Sequence, residues 1–191
     1  AHFVYISTLS VLTLNRLKPP PAPGGSRNDL PYLVTKRCSE RIVEQFQSKT
    51  QAIVLRLPSL YGAGQSDSFI DGLSRLALDN KTIELFGRGE TVRDALHVDD
   101  GVNAISACIS SPPKEAFACI NLGCGREVTT REYAEALVKA LNSCSRVVPV
   151  DRPSSQPVDM HADVSDARRL IGFEPTPLAA SLERYAAELR A

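Results

Sequence analysis

Three short runs of branched and aromatic residues constrain this chain more than anything else in it. They are Phe3-Val4-Tyr5-Ile6-Ser7-Thr8, Ala52-Ile53-Val54-Leu55-Arg56-Leu57 and Ala118-Cys119-Ile120-Asn121-Leu122. Each is short and almost continuously apolar, the pattern of a strand buried on both faces. Between them the periodicity turns helical. Residues 32–48 place Leu33, Ile42, Val43 and Phe46 on an apolar side, and a helix follows Asp99, a suitable N-cap, through Ile109. Buried strands alternating with helices predict an α/β fold.

The remaining punctuation fills in the order. Pro19-Pro20-Pro21, Pro23, Gly24-Gly25 and Asn28-Asp29 make 15–31 a loop, and Pro58 ends the second strand. A helix is predicted at 67–79, a strand at 82–86, a turn at Gly87 and Gly89, and a strand from Val92 to Val98. Thr129-Thr130-Arg131-Glu132 opens a helix to about Leu141. A short strand at 147–150 and helices at 165–171 and 178–190 complete the chain.

With 22 basic and 22 acidic residues the net charge is zero, and no basic stripe suggests nucleic acid. No apolar run approaches the ~20 residues of a membrane helix, and no secretory leader is recognisable. The five cysteines are odd in number and form no Cys-x-x-Cys, and the three histidines add no zinc spacing. Reduced thiols in a cytoplasmic protein, with no metal, is the reading they support. The chain begins at Ala1 and its single methionine is Met160, so a fragment of a longer reading frame is expected.

The chemistry concentrates in Thr8, Tyr32 and Lys36. Tyr32 and Lys36 stand four residues apart and share one helical face. Removing the O–H proton of an alcohol with tyrosine requires lowering a phenol pKa of ~10, and an ammonium one turn away does this. A strand-end hydroxyl such as Thr8 can hold the substrate oxygen and relay its proton. The arrangement suits oxidation of an alcohol by a nicotinamide cofactor.

Taken in order, several segments resemble the extended short-chain dehydrogenase/reductase family, the NAD-dependent epimerases and dehydratases of nucleotide sugars. They are Ile6-Ser7-Thr8; Pro31-Tyr32 with Lys36 and Glu40; Leu55-Arg56-Leu57-Pro58-Ser59-Leu60-Tyr61-Gly62; and Gly89-Glu90-Thr91-Val92-Arg93-Asp94 running to His97-Val98-Asp99-Asp100. Asn121-Leu122-Gly123-Cys124-Gly125 and Ala162-Asp163-Val164 follow. The resemblance implies Thr8, Tyr32 and Lys36 as catalytic residues. It implies Ser7, Thr8, Tyr32, Lys36 and Pro58 at NAD, with NADP less expected, and Thr8, Tyr32, Ser59, Arg93 and Arg152 at a nucleotide-diphosphate sugar. A guanidinium at Arg93 would bind diphosphate oxygens as a fork, the alternative being a charge pair with Asp94. His97 reads as structural, and Asp99-Asp100 as helix capping.

Two departures narrow the reaction. By the same resemblance, dehydratases carry an acid pair after the strand-end hydroxyl, decarboxylases a Glu and 3,5-epimerases a Cys; here Leu9 and Ser10 stand there. What remains suffices for a C4 epimerase or a ketoreductase. Leu12-Thr13 replaces the family's usual Tyr-Gly. Neither Gly24-Gly25 nor Gly62-Ala63-Gly64 is a dinucleotide fingerprint, so roughly 100 residues of dinucleotide-binding half are expected to be absent. The expected architecture is the C-terminal part of a Rossmann-type parallel sheet, residues 1–63 and 98–122, interleaved with a small α+β substrate lobe, residues 64–97 and 123–191. A homodimer is expected for the parent. A truncated, non-catalytic nucleotide-sugar-binding protein is the alternative of a different class.

Overall fold

The computed structural model describes residues 1–16, 30–66, 68–152 and 159–190. In chain order the strands and helices are β1 (His2–Thr8), α1 (Leu30–Gln45), β2 (Gln51–Leu57), β3 (Ser59–Tyr61), α2 (Phe69–Leu78) and β4 (Ile83–Phe86). There follow β5 (Val92–Arg93), β6 (Ala95–His97), α3 (Val98–Ser110), β7 (Phe117–Asn121), β8 (Val128–Thr129), α4 (Thr130–Ala140), β9 (Val147–Val150), α5 (Ser165–Ile171) and α6 (Leu178–Glu188). Leu9–Arg16, directly after β1, winds as a 3-10 helix.

The three runs that dominate the sequence form one parallel sheet in the order β1-β2-β7. The register pairs His2 with Gln51 through Thr8 with Leu57, and Ala52 with Phe117 through Arg56 with Asn121. Side chains alternate across it. Ile53, Leu55, Ala118 and Ile120 pack with Ala104 and Cys108 of α3 in one core. Ala52 and Val54 pack on the opposite face with Val43 of α1. Both faces are therefore covered, which is why the strands read as nearly unbroken apolar runs.

A second core gathers α2, α4 and α6 around the β4–β9 pair, with Ile70, Ile83, Leu137 and Leu182 among its buried members. Local signals set the helix ends. Ser68 caps α2 by accepting the Asp71 N–H at 3.0 Å. Thr129 and Glu132 form a reciprocal capping box on α4. Gly172, at φ +62°, closes α5 in the left-handed conformation that favours glycine.

Two expectations are corrected. The strand predicted over Val92–Val98 is two strands broken at Asp94. β5 runs antiparallel to β8, whereas β6 runs parallel to β3. The break comes from the Asp94 side chain, which is buried and accepts the backbone N–H groups of Cys124 (2.8 Å) and Ala162 (2.9 Å). The N-cap of α3 is His97, not Asp99: the imidazole Nδ1 accepts the Asp99 N–H at 3.3 Å. Asp99 and Asp100 instead lie in the first turn, where negative charge suits the helix dipole. The loop predicted at 15–31 lies largely outside the described residues.

Candidate active site

Thr8 is the last residue of β1 and half-buried, with its Oγ1 accepting the Ser10 N–H at 3.2 Å. α1 begins at Leu30 with Pro31 in its first turn, where a missing N–H costs nothing. That start puts Tyr32 at the exposed beginning of the helix, 51% accessible, and Lys36 half-buried one turn on. Lys36 Nζ lies 6.0 Å from the centre of the Tyr32 ring and donates to the Ile6 carbonyl at 3.0 Å. The Tyr5 ring flanks the same ammonium at 5.2 Å. The Tyr–Lys face is thus seated against β1 two residues before Thr8.

Register brings further residues to this end of the sheet. Thr8 sits opposite Leu57, so Pro58, buried, and Ser59, exposed, follow beside it. Ser7 turns the other way. Its hydroxyl is buried and donates to Glu40 Oε1 at 2.6 Å. Glu40 also receives Arg56 on both oxygens, at 2.9 and 2.8 Å, and Arg37 at 2.8 Å. Burial opposes the charge on Glu40, but the hydrogen bonds from Arg56, Ser7 and Arg37 outweigh it and hold its pKa at about 2. Arg56 is reciprocally held charged by Glu40.

Arg93 ends β5, half-buried, with its guanidinium 5.8 Å from the centre of the Phe69 ring. Burial lowers its pKa, and Asp159 pulls the other way. The neighbouring Asp94 carboxylate accepts the backbone amides of Cys124 and Ala162. Arg152 is exposed beyond β9, and its carbonyl accepts the Gly87 N–H at 2.7 Å, closing the Gly87–Gly89 turn. A cleft of about 280 Å³ has Leu12 and Thr13, in the 3-10 helix after Thr8, on one side and Val92, Asp159 and His161 on the other.

The residues that sequence reasoning left without a role are Arg56 and the cleft-lining Asp159 and His161. An arginine inside the buried run Leu55-Arg56-Leu57 was the available signal, since a charge between two covered faces needs a partner. His97, Asp99 and Glu188 form the one cluster among the described residues with metal-ligand spacing. Nδ1 of His97 is committed to the Asp99 N–H, Nε2 faces Glu188 at 3.2 Å, and Arg184 neutralises Asp99 at 3.1 Å. The cluster is a helix cap and an ion pair.

A parallel sheet covered on both faces, with its polar residues gathered at the strands' carboxyl ends, is a Rossmann-type arrangement. Residues 2–123 match the model of the NAD dependent epimerase/dehydratase family, and the chain belongs to that family. It is 28% identical over 166 residues to the dTDP-L-rhamnose 4-epimerase of Burkholderia thailandensis, a match covering 83% of this chain and 45% of that protein. Two solved structures are similar over 99% of this chain. One is the UDP-glucose 4-epimerase of Thermotoga maritima with UDP-glucose, at TM-score 0.78, 22% identity and 63% of its length. The other is MoeE5 in complex with UDP-glucose and NAD, at TM-score 0.75, 27% identity and 64% of its length. The chain spans about half the length of the curated relatives it matches.

Proposed function

We propose that this chain carries the catalytic edge and the sugar-nucleotide-binding part of an NAD-dependent 4-epimerase acting on a nucleotide-diphosphate sugar. The observation that carries the reading is the seating of Lys36 between the Tyr32 ring and the Ile6 carbonyl, next to the strand end at Thr8. Lys36 has three N–H donors and gives one to Ile6, which leaves two for a cofactor ribose and a phenolate. The residues present therefore fit the nicotinamide end of NAD, with Pro58 alongside. No segment of the sequence supplies the glycine-rich turn for the pyrophosphate.

When bound, NAD supplies a reversible hydride acceptor for the sugar carbon. Tyr32, as phenolate, takes the proton of the C4 hydroxyl. Lys36 favours that phenolate by its charge, and Thr8 holds the same oxygen and relays its proton. After the keto sugar presents its other face, Tyr32 returns the proton and the hydroxyl is re-formed with inverted configuration. Arg93 and Arg152 anchor the diphosphate, and Ser59 lies at the sugar end. Leu9 and Ser10 offer no acid for a leaving hydroxyl, which favours epimerisation over dehydration. The dinucleotide domain would be completed by residues 1–63 and 98–122 and the substrate lobe by the rest.

Relatives that contain UDP-sugars or are 4-epimerases support this reading. α1 and the 3-10 turn that follows it also present Val34, Cys38, Ile42 and Phe46 outward at four-residue spacing, a stripe suited to a homodimer. The deciding experiment is Tyr32→Phe in the enzyme containing this chain. Turnover of UDP-glucose should fall by at least ~10², while calorimetry finds NAD and UDP-glucose still bound. Unchanged turnover would overturn the mechanism.

A further inference from the structure

Tyr32, Lys36 and Glu40 follow one another at four-residue intervals along a single face of α1. The first two have roles in the proton transfer proposed above, and the third has none. Yet Glu40 is the buried charge of this helix, 2% accessible, and its bonding is the most saturated in the described structure near the site. Oε1 accepts from Ser7 Oγ and Arg56 Nε, and Oε2 accepts from Arg56 Nη2 and Arg37 Nη1. Arg56 extends the network to Asn121 Oδ1 at 3.5 Å.

The ladder explains why these residues meet. Ser7 is opposite Arg56, and Arg56 is opposite Asn121, so the three form one row across β1, β2 and β7. Glu40 comes down on that row from α1. The next row along the sheet is the one that contains Thr8 and Leu57. One carboxylate thus fastens the helix bearing Tyr32 and Lys36 to β1 and β2, and through Arg56 reaches β7, one residue short of the strand-end hydroxyl of Thr8. The Arg56–Glu40 contact is a bidentate fork, which fixes orientation as well as distance.

Stability alone gives little reason for such a row. Buried ion pairs are often matched or bettered by apolar residues of similar volume, because desolvation offsets the attraction. The other rows of this face, Ala52 and Val54 under Val43, show that apolar packing is available between α1 and the sheet. A fork does what apolar packing does not: it sets the height and rotation of α1 over the strands.

We propose that Glu40 is a positioning residue, which through Arg56 and Ser7 holds the Tyr32–Lys36 face of α1 in register with Thr8 and keeps Lys36 on the Ile6 carbonyl. This rests on the epimerase reading for its catalytic consequence but not for its geometry, and the test separates the two. Glu40→Gln preserves shape, keeps one acceptor oxygen and turns the other into a donor facing Arg56 and Arg37. In the enzyme containing this chain, kcat should fall by about 10–100-fold, while KM for UDP-glucose stays within about twofold.

The geometric readout is the ¹³C resonance of the Ile6 carbonyl, which should shift in Glu40→Gln as the Lys36 bond is lost. Equal losses in KM and kcat, or a folded Glu40→Gln variant with an unmoved Ile6 carbonyl, would overturn the proposal. Should Glu40→Gln fail to fold, Ser7→Ala removes one bond and leaves the Arg56 fork; it should shift the same carbonyl and lower kcat by a few-fold, and an unmoved carbonyl there would overturn the proposal equally. A wild-type enzyme without epimerase turnover would refute the activity reading, and the Ile6 carbonyl would still decide whether Glu40 positions α1.

Discussion

Ser7 and Thr8 are neighbours on β1 with opposite surroundings. The Ser7 hydroxyl is spent inside the protein on Glu40, whereas Thr8 faces the end of the sheet. The first contact has a measurable consequence in acid. The Glu40 carboxyl titrates at about 2 when folded against an ordinary 4.5. A depressed folded pKa contributes stability above the unfolded value and loses it as pH falls toward the folded one. Urea midpoints of the wild type should therefore drop between pH 4.5 and 2 by an amount worth up to roughly 3 kcal/mol. Glu40→Gln should be less stable at neutral pH and lack this acid limb. Asp94 has the opposite sign, since burial raises its pKa despite its amide bonds, so only the difference between the two curves isolates Glu40. A second residue-scale prediction concerns Gly123. A methyl there would meet Asp94 Oδ2 and approach the Ala162 Cβ to 2.8 Å. Gly123→Ala should cost about 1–3 kcal/mol, read as a lower urea midpoint. Tyr32 and Lys36 were legible from the sequence because their relation is one helical turn. Ser7–Glu40 and Asp94–Ala162 were not, because 33 and 68 residues separate the partners and only the fold brings them together.

Elements with local start signals formed where the pattern placed them. The box of Thr129 and Glu132 opens α4 as its sequence indicates, and Glu132 is held below the usual carboxylate range by the Thr129 backbone N–H and by Arg126. Thr129→Ala removes the acceptor for the Glu132 N–H and should cost about 1 kcal/mol, seen as a melting temperature lower by about 2–4 °C. The strand over 92–98 went otherwise because alternation of side chains cannot reveal a partner change. β5 and β6 differ in neighbour and in direction of pairing, and the switch is made by one buried carboxylate between them. α3 likewise took its cap from His97, a residue whose ring nitrogen does the work of a carboxylate oxygen. On α1 and the 3-10 turn after it, the outward stripe of Val34, Ile42 and Phe46 is 43–59% accessible, while Leu33 is buried and Val43 packs on the sheet. Ile42→Lys should halve the mass found by sedimentation equilibrium if that stripe is the dimer seam, and a dimer that persists would place the seam elsewhere.

At the scale of the molecule, the two large cores meet along the β3–β6 pair. Leu60 and Leu96 are opposite one another in the ladder and pack toward the core of the parallel sheet, whereas Tyr61 and Ala95 pack toward the core of α2, α4 and α6. Asp94 joins the same two bodies, through Cys124 on one side and Ala162 on the other. The shared partition comes from strands of three residues, too short for periodicity to show a face. The proposed ligand lies across this partition. Thr8 ends β1, Lys36 lies on α1 against that strand, Arg93 stands on β5, and Thr13 and Val92, each close in the chain to one of these segments, line one cleft. A nucleotide sugar reaching from one to the other must stabilise both bodies. In the enzyme containing this chain, UDP-glucose at 100 times its dissociation constant should add about 2.7 kcal/mol, raising the melting temperature by about 5–10 °C. Amide exchange should slow at β1 and at β5 together. Arg93→Ala removes the proposed diphosphate anchor while leaving Thr8, Tyr32 and Lys36 in place. It should diminish the shift caused by UDP-glucose and leave the shift caused by NAD intact. Protection confined to the β1 side, or an undiminished response to UDP-glucose in Arg93→Ala, would remove Arg93 from the substrate site and with it the bridge between the two cores.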